Sequence, residues 1–153
     1  MDPIEAKLIE MGHVLPAPPT PGGLYLPFRR HENLLFLSGV ICVKDGEMTH
    51  TGQLGAEHTL ESGYEAAQVC ALNALAAIKL ALGDLDAVGQ FLYVGGYVNA
   101  VSGFAKSPQV INGASELFNT LYGERGQHAR AAVAVAGLPV NSTVEIQVNV
   151  AVR

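Results

Sequence analysis

Apolar and polar positions alternate most regularly at the C-terminal end of the chain, from Val144 to Val152. Successive side chains of a strand point to opposite faces, so Glu145, Gln147 and Asn149 share one face while Val144, Ile146, Val148 and Val150 share the other. Ala129 to Val135 reads as a second strand, with Arg130, Ala132 and Ala134 on one side and Ala131, Val133 and Val135 on the other. The stretch Gly137-Leu138-Pro139-Val140-Asn141-Ser142 between them is rich in turn formers and predicts two neighbouring strands. A guanidinium and a carboxylate then stand inside otherwise apolar runs, with small alanines leaving room beside the arginine.

The periodicity changes elsewhere. Ala66, Ala67, Cys70, Ala71, Ala74, Leu75, Ile78 and Leu82 recur at threes and fours, which predicts a helix opened by His58 or Thr59 and closed by Gly83. A second helix is expected over about Gln109 to Tyr122, closed by Gly123. Leu24 to Arg30 and Leu34 to Val43 read as paired strands turning at His31-Glu32-Asn33, and Asp45-Gly46 signals a further hairpin. Gln90 to Ala100 is a strand whose Gly95-Gly96 pair suggests a bulge or a close backbone approach. At the N-terminus, Asp2-Pro3 caps a short helix through Met11, and Pro16, Pro18, Pro19 and Pro21 follow as an extended linker. Residues 1–22 are thus read as a helix and proline-rich linker appended to one domain, 23–153. Strands, helix, strand, helix, strands predict an α+β domain: a single mixed sheet covered on one face by two helices.

Composition narrows the classes. At 153 residues with 49% hydrophobic and 15% charged positions, the chain can build a core, and its apolar windows are broken short of the roughly 20 residues of a membrane span. Net charge is −5 with no basic cluster beyond Arg29-Arg30, which disfavours nucleic acid. A mean hydropathy of +0.26 is high for a monomer of this size and points to subunit contacts. Two cysteines, Cys42 and Cys70, offer no disulfide framework and read as buried small hydrophobes, and with no basic-apolar leader the expected location is the cytoplasm. Five scattered histidines lack ligand spacing, so no metal site is expected.

The ordered set Ala129-Arg130-Ala131-Ala132-Val133 with Leu138-Pro139, Val144-Glu145-Ile146, Leu37-Ser38-Gly39 and Ile111-Asn112 resembles the reactive intermediate deaminase (Rid, YjgF-like) family over about Gly23 to Arg153. The resemblance implies a chorismate-mutase-like fold, a homotrimer whose sheets form a barrel, and sites in clefts between subunits. It implies an arginine, here Arg130, that grips the carboxylate of a 2-aminoacrylate-type imino acid. A glutamate, here Glu145, activates the water that attacks the imine carbon. Tyr25 in the first strand, Ser38 and Gly39 on the cleft floor, and Asn112 at the start of the second helix complete the implied set. Imines are already electrophilic, so neither metal nor organic cofactor is implied. The longer N-terminus resembles an extended subgroup, and Gly23-Leu24-Tyr25-Leu26-Pro27 keeps only the glycine and tyrosine of the archetypal start.

His128 replaces the family proline two positions before the arginine and could touch the ligand, and Ala132 replaces a cysteine. Other readings remain beside this one. Arg130 and Glu145 could form a structural ion pair, Tyr25 and Ser38 could be ordinary strand packing, Asn112 a helix-start residue, and His128 a loop residue. The expected function is a cofactor-independent deaminase, a hydrolase releasing 2-oxo acids and ammonia. The alternative is a non-catalytic 2-oxo acid binding protein using the same cleft. An L-PSP-like endoribonuclease is less favoured on charge.

Overall fold

A computed structural model describes every residue from Met1 to Arg153. The elements, in order, are α1 (Pro3–Glu10), β1 (Phe28–His31), β2 (Leu34–Leu37), β3 (Val40–Ile41), β4 (Val43–Lys44), β5 (Glu47–Met48), α2 (Leu60–Leu82), β6 (Val88–Asn99), α3 (Ser107–Tyr122), β7 (Ala129–Val135) and β8 (Val144–Val152). The main sheet is mixed, in the order β1-β2-β8-β6-β7, with β3 continuing beside β8, and β4-β5 form a separate two-stranded ribbon. The core lies between one face of this sheet and the helices α2 and α3.

The helix signals sit where the chain chemistry puts them. Thr59 caps α2 in a reciprocal box with Ser62, and Gly83 ends it at φ +81°. Asp45 and Gly46 carry the φ values of +52° and +80° that a tight hairpin needs, so β4 and β5 pair across them. The Gly95-Gly96 pair is a close approach: a β-carbon on Gly96 would lie 2.5 Å from Ile111 of α3. The bulges of β6 fall elsewhere, near Gly89 and Leu92.

Several expectations need correction. β7 and β8 are not neighbours, because the twelve-residue β6 lies between them, antiparallel to β8 and parallel to β7. Parallel pairing requires a crossover, which α3 supplies. The turn before β8, with Val140 and Asn141 both at positive φ, carries the chain past β6 instead of folding a hairpin. The strand expected over Leu34 to Val43 breaks at Ser38-Gly39, where the Ser38 amide and hydroxyl bond back to the Pro27 and Leu26 carbonyls at 3.0 and 2.5 Å. β1 begins at Phe28 rather than Leu24, since Pro27 has no amide to give and Leu24 is fully exposed. α2 is long and apolar enough by length and composition alone to cross a bilayer, although Glu65, Gln68, Asn73 and Lys79 interrupt its apolar runs. Its apolarity is that of a core helix, with Ala67, Cys70, Ala74 and Ile78 wholly buried.

The N-terminal segment read as an appendage docks firmly. Ile4 and Leu8 join the core, the Asp2 carboxylate caps α1 and accepts from the Leu85 amide at 2.5 Å, and Glu5 pairs with Lys79 of α2 at 2.7 Å.

Candidate functional site

β6 is the ruler that fixes where the two candidate charges point. Buried Val94 pairs with Arg130 on one side and Val148 on the other, so Arg130 is on the helix-covered face. Tyr97 pairs with Val133 and with Glu145, which puts the carboxylate on the opposite, open face. Within one chain the arginine and the glutamate therefore stand on different faces of the sheet, separated by β6, and they form no ion pair.

The arginine half is built by α3 and the edge strand. Arg130 donates through one terminal nitrogen to Asn112 Oδ1 at 2.8 Å and Ser115 Oγ at 3.1 Å, and through the other to the Pro108 carbonyl at 3.4 Å. Asn112 is the sixth residue of α3, not its start, and holding the guanidinium is its observed contact. His128 does not stand in an open loop. Its Nδ1 lies 2.6 Å from the Gly126 carbonyl and its Nε2 2.9 Å from Ser115 Oγ. A carbonyl can only accept, so Nδ1 carries the proton and Nε2 receives the Ser115 hydroxyl hydrogen. A directed line results: Arg130 donates to Ser115, Ser115 to His128, His128 to Gly126. Burial holds the His128 pKa below the usual imidazole range, with the Arg130 charge adding to it against the Gly126 bond. No carboxylate of the chain pairs with Arg130. Ser115 escaped the sequence reading, although its spacing of three from Asn112 places both on one helix face.

The glutamate half lies where β2 breaks into β3. Glu145 packs across Gly39 so closely that a β-carbon there would sit 2.5 Å from its Oε2. The carboxylate accepts no hydrogen bond from the chain, is half-buried, and burial raises its pKa above the usual glutamate range. Ser38 and Tyr25 line the same groove, of about 870 Å³. Tyr25 precedes β1 rather than lying in it. It is half exposed, and its hydroxyl accepts from the Gly22 amide at 3.0 Å. The structure thus gathers Tyr25, Ser38, Gly39 and Glu145 into one half and Asn112, His128 and Arg130 into another. No group of three or more metal-ligating side chains converges anywhere in the chain. Cys42 and Cys70 are both wholly buried, as small hydrophobes would be.

Comparison with known proteins places this arrangement. The protein TCP17 of Trypanosoma cruzi is 38% identical over 144 residues, covering 94% of this chain and 90% of that one. The crystal structure of Atu1372 from Agrobacterium tumefaciens, a protein of unknown function, superposes with a TM-score of 0.92 at 41% identity, covering 99% of this chain and 94% of that chain. A structure from Shewanella oneidensis described as a "putative endoribonuclease" superposes with a TM-score of 0.94 at 30% identity, covering 97% and 99%. The model of the family described as "YjgF/chorismate_mutase-like, putative endoribonuclease" matches residues 5–151. With its mixed sheet, two covering helices and this match over nearly its whole length, the chain belongs to the YjgF/chorismate mutase-like family.

Proposed function

We propose that the protein is an enamine/imine deaminase of the Rid type, working in the cytoplasm on 2-imino acids, with each site completed where two copies of a homotrimer meet. The observation that carries the reading is the pair of unsatisfied charges: a preorganised guanidinium without an anion and a half-buried carboxylate without a donor, each in its own half. They cannot meet within one chain, but the arginine half of one copy can face the glutamate half of another.

In such a cleft the substrate carboxylate binds Arg130 bidentately through Nε and the terminal nitrogen that Asn112 and Ser115 do not engage. Ser38, Gly39 and Tyr25 wall the reacting end. Glu145, held unprotonated above its raised pKa, takes a proton from water as the oxygen attacks the imine carbon. Starting from the protonated imine, the resulting carboxylic acid then returns the proton to the amine nitrogen of the tetrahedral intermediate, and Glu145 takes the hydroxyl proton as the C–N bond breaks, so that the 2-oxo acid forms and the nitrogen leaves with that proton as ammonium. Water is consumed and no electrons are transferred. Assistance by such a base is worth about 10² to 10⁴ in rate.

The test is turnover. With 2-aminoacrylate generated by a pyridoxal-phosphate lyase, the protein is expected to accelerate pyruvate release. Unchanged release with or without protein, alongside 2-oxo acid binding, would leave the non-catalytic binding reading. Nucleic acid fits poorly, since two carboxylates, Asp45 and Glu145, and no Lys or Arg line the groove.

A further inference from the structure

The glutamate half does not end at Glu145. The groove continues along β3 and β4 to Ala77 and Asn73 of α2 and the Asp45-Gly46 turn, and its outer wall is the chain from Ala17 to Gly22. That wall is fixed at both ends. Upstream, α1 is anchored by Ile4 and Leu8 in the core. Downstream, the Leu26 and Pro27 carbonyls accept from the Ser38 hydroxyl and amide at 2.5 and 3.0 Å. Between them, Pro18, Pro19 and Pro21 restrict the backbone, so the wall loses little conformational freedom when a ligand lies against it.

Size and chemistry say what this extension takes. On a single chain, before another copy closes over it, the groove measures about 870 Å³, more than the smallest 2-imino acids fill. Its inner surface is largely apolar, from Pro18, Pro19, Val40, Val43 and Ala77. Asn73, only 1% exposed, uses its amide nitrogen to hold the Ile41 and Val43 carbonyls at 2.9 and 2.7 Å, and its amide oxygen accepts from no group of the chain. An anionic side chain would meet Asp45 and Glu145 with no cation between them.

We infer that the proline-walled groove is a side-chain subsite, which makes the preferred substrates 2-imino acids with long, uncharged side chains rather than the three-carbon imine. This rests on the deaminase reading above. The N-terminal extension is then a specificity element: it supplies the wall against which the substrate side chain packs.

The experiment compares imines made in place by an L-amino-acid oxidase with catalase from alanine, leucine, methionine and glutamate. The imines of leucine and methionine are expected to be hydrolysed with kcat/KM at least tenfold above that of alanine, and the glutamate imine slowest. Ala77→Leu, which narrows the groove at its inner surface, should remove that tenfold preference. Equal kcat/KM for alanine and leucine imines would overturn the inference, as would equal losses for both in Ala77→Leu. Backbone amide shifts provide a readout independent of turnover and of the variant. In ¹⁵N-labelled wild-type protein, 4-methyl-2-oxopentanoate should shift Gly46 and Ala77 as well as Gly39, and pyruvate only Gly39. Absence of any imine hydrolysis would sink the deaminase reading, whereas unmoved Gly46 and Ala77 with the longer acid would sink the subsite.

Discussion

Single residues in the two halves make opposed predictions about activity and stability. Glu145 has a raised pKa, so the folded state prefers its protonated form, and above the ordinary glutamate pKa the charge burdens the fold. Glu145→Gln should therefore raise the melting temperature at neutral pH. The gain should vanish at pH below the unfolded glutamate pKa of about 4.3, where both states are protonated. The same variant should lower kcat by about 10² or more, a loss read in the turnover assay. Ser115→Ala tests the arginine half. It cuts the line from Arg130 to His128, so KM should rise several-fold with kcat nearly unchanged, and Ser115→Thr should restore the wild-type KM. His128 has the reverse sign to Glu145. Its pKa is lowered, so the neutral form is favoured in the fold and stability falls as pH drops below the unfolded value of about 6.5. A protonated Nε2 can no longer accept from the Ser115 hydroxyl, which breaks the line that holds Arg130 in place. KM should climb in that acid range, with a smaller climb in His128→Gln.

At the scale of elements, the break between β2 and β3 is the most sensitive place in the fold. Gly39→Ala would drive a methyl into the Glu145 carboxylate, so activity should fall more than a core stability loss of about 1–3 kcal/mol explains. Chemical denaturation beside kinetics separates the two effects. This break also shows where sequence reasoning stops. The capped helix α2, the Asp45-Gly46 hairpin and the alternating faces of β8 are local, and local residues announce them. The insertion of β6 between β7 and β8 is decided by pairing across the whole sheet, so a short turn-rich linker looked like a hairpin. Residue types could name Arg130 and Glu145 but not the face each occupies, because strand period alone does not say which side α3 covers. Ser115 and Asn73 sit inside helices among apolar neighbours, and only packing reveals what they touch.

For the whole molecule, the decisive prediction is complementation. Arg130→Ala and Glu145→Gln should each be nearly inactive alone. Unfolded together and refolded at equal concentrations, they should regain about a quarter of wild-type activity, since in a head-to-tail ring that fraction of contacts joins an intact arginine half to an intact glutamate half. No regain in mixtures that native mass spectrometry shows to contain mixed trimers would exclude a shared site.

The rims of the sheet carry a last consequence. β1 guards its rim with Arg29, Arg30 and His31, whereas β7 presents alanines and half-exposed Val133 with Arg130 as its lone charge. A naked edge of that composition invites indiscriminate strand addition. Under the proposed trimer, substitutions that keep the copies apart should therefore produce clouding that worsens with concentration instead of a quiet, well-behaved monomer. A lysine at Val133 should suppress the clouding.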